Sequence, residues 1–205
     1  MMKETCEKRA TNILDIPGRK FAFDSTTIPL CLATFPWDKF RKKKGGVKAH
    51  VLYDIEAQVP TFYTVTATSK HDSTAMRSIP YEPNAYYIFD RAYDSFKELY
   101  RIHLTDSFYV VRAKTNLKYK MVKWKRRMPK NVLTDAEIKL TGYLSEKKYP
   151  ESFRLIRYYD EEDDRWYIKQ HFGQARTFIK TAYYGGCFVS GLALLVSCGL
   201  CQNNL

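Results

Sequence analysis

Between Phe21 and Lys114 the chain carries apolar runs whose order restricts the fold more than any compositional figure does. FAFDSTTI, VKAHVLYDI and QVPTFYTVTA are rich in β-branched and aromatic residues and are separated by turn-prone stretches such as KKKGG and DIEAQ. They predict three strands of an antiparallel meander. HDSTAMRSI then offers Asp72 as the N-cap of a short helix, and AYYIFD is a nearly continuous apolar run of the kind a buried strand needs. In SFKELYRIHL, Phe96, Leu99, Tyr100 and His103 share one helical face, and SFYVVRAK returns to strand. The predicted order is β-β-β-α-β-α-β.

That order is the α/β ribonuclease-H-like core, a mixed sheet with flanking helices in which the first and fourth strands lie side by side. Asp24 in FAFDSTTI and Asp90 in AYYIFDRAY stand at the ends of apolar stretches on those two strands. Their carboxylates are therefore expected to meet although they are remote in sequence. Mg²⁺ prefers hard oxygen ligands, and paired ions about 3.5–4 Å apart stabilise both attacking and leaving oxygens of an in-line phosphoryl displacement. A third carboxylate normally completes such a site. For a lone aspartate at a strand end, a turn or cap role is the competing reading.

Thirty-four Lys and Arg against 22 Asp and Glu give a net charge of +12 over 205 residues. A phosphate backbone is the commonest large partner of such a surface, and a merely solvated basic surface is the alternative. With 45% hydrophobic and 15% aromatic residues the chain can bury a substantial core. Cys6, Cys31, Cys187, Cys198 and Cys201 have no framework spacing and no signal peptide precedes them, so a bacterial cytoplasm is the expected compartment.

The runs DSTTIPLCLATFPWDKFRKKKGGVKAH, YIFDRAYDSFKELYRIH, FYVVRAKTN and LTGYLSEKKYPESFRLIRYYD occur in the order found in DDE-type transposases of bacterial insertion sequences. Over residues 20–172 the chain resembles insertion-sequence family four. The resemblance implies a ribonuclease-H-like catalytic domain with a β-rich insertion. It further implies DNA cleavage at transposon ends with Mg²⁺ or Mn²⁺, two ions in a complete site, and strand transfer by a 3′-hydroxyl. Asp24 and Asp90 fall on the family's first two catalytic aspartates and would be its metal ligands. Double-stranded DNA, as transposon ends and target, is the implied partner, with a homodimer holding two ends.

The family's third carboxylate belongs to a helical signature, Tyr-x2-Arg-x3-Glu-x6-Lys, of which this chain has no complete copy. After RLIRYYD the sequence passes through EEDDR into WYIKQHF, which resembles the segment downstream of the family glutamate, so an internal deletion is the expectation. Lys169 matches the signature lysine and the spacing leads back to Glu162. A helix beginning near Asp160 would place Glu162 and Lys169 on one face. Tyr158 and Leu155 stand where the signature has Arg and Tyr, and a solvated acidic turn is the competing reading. The resulting division is an N-terminal remnant over 1–19, a catalytic core over 20–116, a β-rich insertion over 117–160, and over 161–205 the remnant of the last catalytic helix with a helical tail.

Two basic clusters are candidate DNA contacts. Lys39, Arg41, Lys42, Lys43, Lys44 and Lys48 follow Trp37, where a turn is expected. Arg112, Lys114, Lys118, Lys120, Lys123, Lys125, Arg126 and Arg127 surround Trp124, and Lys169 adds a further cation. Such side chains neutralise phosphates, and an interleaved Trp can stack on a base. His50, Asp54, His71 and Asp72 take supporting roles, His50 as a packed or hydrogen-bonded strand residue. Arg91 reads as a local structural partner or a phosphate ligand. Cys198-x-x-Cys201 with Cys187 and His171 lacks the second half of a zinc site. The apolar tail over 185–200 is shorter than a spanning helix, so no membrane is expected. Three functions remain open: an active transposase, a DNA-binding remnant without the third ligand, and a ribonuclease-H-like nuclease on RNA-containing duplexes.

Overall fold

Tyr86–Phe89 is buried at all four positions, as a strand covered on both faces must be, and it forms the middle of a mixed sheet. The computed structural model describes residues 17–30, 39–41, 44–114, 116–124, 132–160 and 165–172. The first half holds β1 (Lys20–Leu30), β2 (Lys39–Arg41), β3 (Lys44–Asp54), β4 (Val59–Ala67), a 3-10 helix η1 (Asp72–Ser78) and β5 (Tyr86–Phe89). A one-turn 3-10 helix η2 (Arg91–Tyr93), the helix α1 (Phe96–Leu104) and β6 (Phe108–Arg112) complete the predicted order. Beyond them lie β7 (Tyr119–Trp124), β8 (Val132–Leu140), α2 (Tyr143–Lys148), β9 (Phe153–Asp160) and β10 (Arg165–Phe172).

The strands run β2-β3-β1-β5-β6-β10-β9-β8-β7 across one sheet, with β4 also paired to β3. β1 and β3, and β3 and β4, are antiparallel, whereas β1 and β5, and β5 and β6, are parallel. The order β4-β3-β1-β5-β6 is the ribonuclease-H-like arrangement that the strand pattern predicts. Pro60 sits on the edge strand β4, where the β3 register shifts between Leu52 and Tyr53. An imino acid is tolerated there because an edge can forgo one ladder hydrogen bond.

Alternation along the strands separates two faces. Phe21, Phe23, Tyr87, Phe89, Tyr109 and Val111 join the main core, which Ala75 and Met76 of η1 and Leu99 and Ile102 of α1 cover. Ala22 and Ile88 point the other way and pack with Ile55 in a smaller cluster. The α1 face is close to the predicted one, with Leu99 and Ile102 fully buried and Phe96 and Tyr100 packed against the core. His103 closes on Tyr149, its Nδ1 lying 3.0 Å from the phenol oxygen.

Two expectations are corrected by this fold. WYIKQHF is not part of a helix: residues 165–172 form β10, antiparallel to both β9 and β6. Alternating aromatic and β-branched residues suit a strand, and its position satisfies edges of β6 and β9 that a helix would leave open. Asp160 ends β9 and pairs with Arg165, so no helix runs from Asp160 to Lys169. The cap of η1 is His71, whose side chain accepts from the Ser73 amide, with Asp72 one residue inside.

Leu99 is completely buried between α1 and the sheet. Leu99→Ala is expected to lower the unfolding free energy by about 2–5 kcal/mol in urea titrations. A loss under about 1 kcal/mol would show that α1 is not part of the cooperative core.

Candidate active site

The parallel pairing of β1 with β5 builds the site. Ala22 lies opposite Ile88 and Phe23 opposite Phe89, so Asp24 and Asp90 are the next residue of each strand. Adjacent strands are about 5 Å apart. Phe23 and Phe89 point into the main core, so alternation along β1 turns Asp24 toward the face of Ala22, while Asp90 follows the end of β5 and opens the turn into η2. Two acidic residues separated by most of the core sequence are thus brought next to one another at the last paired rung of β1 and β5. Asp90 has an extended backbone and precedes η2, whose Tyr93 amide donates to the Asp90 carbonyl at 3.0 Å.

Electrostatics records their proximity. Partial burial pushes the Asp24 carboxyl up to about 6, an amide hydrogen bond from Ser25 opposes the shift, and the charges of Asp90 and Asp72 add to it. Like charges near a desolvated carboxylate disfavour its ionisation, and a cation reverses that preference. Asp72 is engaged elsewhere: Lys48 Nζ donates to its Oδ1 at 2.9 Å and to the Lys70 carbonyl at 3.2 Å. Among the described residues no group of three or more His, Cys, Asp or Glu is arranged to hold a metal ion.

Beneath the aspartates lies a polar core that sequence reasoning found only in part. His50 is 0% exposed, with Nδ1 3.0 Å from the Tyr93 hydroxyl and Nε2 2.9 Å from Thr66 Oγ1. Burial lowers the pKa of this imidazole; the Asp72 carboxylate acts against that and Lys48 with it. Its ring stacks on Phe23 and meets Tyr93 edge-on. His50 is a packed, hydrogen-bonded strand residue, as its alternation with Val51 implies. Tyr93 carried no local signal, because its role depends on β3, which precedes it by some forty residues. Asp54 binds Arg19 at 2.9 Å and accepts from the Glu56 and Ala57 amides, a structural duty at the β3–β4 turn.

The basic candidates distribute over strands. Lys39 and Arg41 are in β2, and Lys44 and Lys48 in β3, where a turn was expected for the cluster. Lys48 is 16% exposed and committed to Asp72. Arg112 and Lys114 are exposed at and just past the end of β6, and Lys114 donates to the Asp94 carbonyl at 2.8 Å. On β7 all six residues are exposed; Trp124 is 68% exposed, and Lys123 lies 3.7 Å from Glu137. Lys169 is in β10, opposite Arg112. Arg91 is exposed beside Asp90. Lys42, Lys43, Lys125, Arg126, Arg127, Glu162 and all five cysteines lie outside the described residues.

The chain is 34% identical over 103 residues to the protein named "Putative transposase y4zB" from Sinorhizobium fredii (strain NBRC 101917 / NGR234). The alignment takes in 50% of this chain and 29% of that relative, so the chain spans under a third of its length. A cryo-EM structure of the piggyBac transposase synaptic complex with hairpin DNA superposes with a TM-score of 0.48 at 12% identity, covering 89% of this chain and 41% of that one. The family model for the transposase DDE domain matches residues 16–183, a span that contains every described residue and both aspartates. The chain belongs to the transposase DDE domain family.

Proposed function

We propose that this chain is the catalytic-domain portion of a DNA transposase in which Asp24 and Asp90 hold a divalent cation against a DNA phosphate. The observation that supports the reading is the parallel β1–β5 register, which sets Asp24 and Asp90 each one residue beyond the paired Phe23 and Phe89. Two carboxylates with water and substrate phosphate completing the shell match the way Mg²⁺ is commonly bound. The donor set fits, because an Asp24 carboxyl pushed up to about 6 by burial and neighbouring acids gains most from a cation beside it. When bound, such a cation supplies Lewis-acid stabilisation of the charge that builds on the phosphoryl oxygens.

The chain's own residues then hold and orient. Asp24 and Asp90 fix the position of the reacting phosphate relative to the sheet. Exposed cations on β7 and at the end of β6 neutralise flanking phosphates, and exposed Trp124 offers a stacking face. DNA strand cleavage, transfer of the liberated 3′-hydroxyl to target DNA, and pairing of two copies across transposon ends complete the reading at the level of the whole protein.

One observation favours a second reading, a DNA-binding transposase remnant without cleavage. Lys169 stands in β10 rather than in a signature helix.

A nicking assay on transposon-end DNA with Mg²⁺ or Mn²⁺ separates the two. The transposase reading expects nicking that falls at least 100-fold in Asp24→Asn and in Asp90→Asn, alongside DNA affinity that weakens steeply with salt. Salt-dependent binding with no nicking establishes the remnant, and a salt-insensitive affinity removes the DNA reading altogether.

The raised Asp24 carboxyl also has a stability consequence. Its folded pKa of about 6 lies above the ordinary 3.8, so the group favours the folded state below about pH 3.8 and loses that contribution as pH rises through 6. At pH 7.5 the ionised carboxylate therefore opposes folding. Asp24→Asn should raise the unfolding free energy there by about 1–2 kcal/mol, after allowing for solvent screening, and the gain should vanish toward pH 4. A gain that is the same at pH 4 and pH 7.5 would contradict the raised Asp24 carboxyl.

A further inference from the structure

Asp24 and Asp90 repel each other, and a site for a cation must keep them together before the cation arrives. Backbone pairing between β1 and β5 ends at Phe23 and Phe89, one residue short of both aspartates. Whatever sets their separation must act beyond the last paired residues.

We infer that the hydrogen-bonded relay Thr66–His50–Tyr93, set against Ser25 of β1, is a positioning device that locks the Asp90 turn onto the strand bearing Asp24. Tyr93 is tied to Asp90 through the 3.0 Å bond from its amide to the Asp90 carbonyl. Its hydroxyl crosses β1 to reach His50 Nδ1 at 3.0 Å, and His50 lies directly opposite Ser25, the residue after Asp24. Ser25 lies on this same path, and its side chain opposes the upward shift that burial gives the Tyr93 phenol. At the far end Thr66 on β4 holds His50 Nε2 at 2.9 Å, so both ring nitrogens are occupied and the imidazole cannot turn.

Packing reinforces the lock. The Tyr93 ring meets Phe23 edge-on at 5.1 Å and lies 6.2 Å from Phe89, the two residues that immediately precede Asp24 and Asp90. A phenol whose ring touches both of these neighbours and whose oxygen reaches across β1 to His50 on β3 transmits the geometry of the meander to the turn after β5. Satisfied buried polar groups are rigid, because any displacement leaves an unpaired group in a low dielectric. Tyr93, His50, Ser25 and Thr66 touch no substrate; they act through Asp24 and Asp90, much as outer-shell groups orient ligands elsewhere.

The inference rests on the cation site proposed above, and Mn²⁺ affinity followed by electron paramagnetic resonance tests both separately. Tyr93→Phe keeps the ring and removes the bridge; Ser25→Ala keeps all aromatic packing and removes one link. Both should retain the native circular dichroism spectrum and bind Mn²⁺ at least 5-fold more weakly than wild type. Leu99→Ala, which loosens the fold away from the relay, should stay within twofold. Wild-type binding with both relay variants within twofold would overturn the positioning role and leave the cation site standing. Equal weakening in Leu99→Ala would overturn it too, as a general effect of stability. No Mn²⁺ binding by wild type would overturn the cation site and the inference with it.

Discussion

The parallel pairing of β1 with β5 is the constraint on which the rest depends. Parallel neighbours cannot be joined by a tight turn, so the chain must travel through β3, β4 and η1 before β5 can dock beside β1. The residues spent on that excursion become the antiparallel flank of the sheet and its first covering layer. A slip of one residue in the pairing would send one aspartate to the opposite face, because side chains alternate with a period of two. The large side chains Phe21, Phe23, Tyr87 and Phe89 on the core face oppose such a slip, since it would turn one strand's aromatic residues out of the core. Burial of these aromatic groups thus fixes the position of the charges.

This arrangement sets stability against chemistry. Asp24 stands half-buried among aromatic packing and close to Asp90, and the cost appears in its raised carboxyl, through burial first and the charges of Asp90 and Asp72 second. Ion pairs elsewhere have a different character. Asp54 with Arg19, and Lys20 with Glu56, join acids to bases at the base of the same strands.

Local pattern made much of the core legible. Strand-like runs around Asp24 and Asp90, the apolar face of α1 and the return at β6 could be read directly, because each segment's hydrophobic period matches its place in the layers. Parallel adjacency followed from the order of elements. β10 was misread because likeness to a family helix outweighed a local alternation that suits a strand; Trp166, Ile168 and Phe172 sit at every second or fourth position of it. The cations after Trp37 looked like a turn because charge runs often are, yet Lys48 stands in the middle of β3 and neutralises Asp72. Tyr93 was invisible for a different reason: a hydrogen bond between residues 43 apart leaves no periodic trace.

The central claim is that Asp24 and Asp90 share one divalent cation, and anomalous diffraction from crystals grown with Mn²⁺ tests it most directly. The account predicts a single strong anomalous peak in contact with carboxylate oxygens of both residues, absent from Asp24→Asn crystals. A peak bound by only one of the two, or none near either at saturating Mn²⁺, would contradict it.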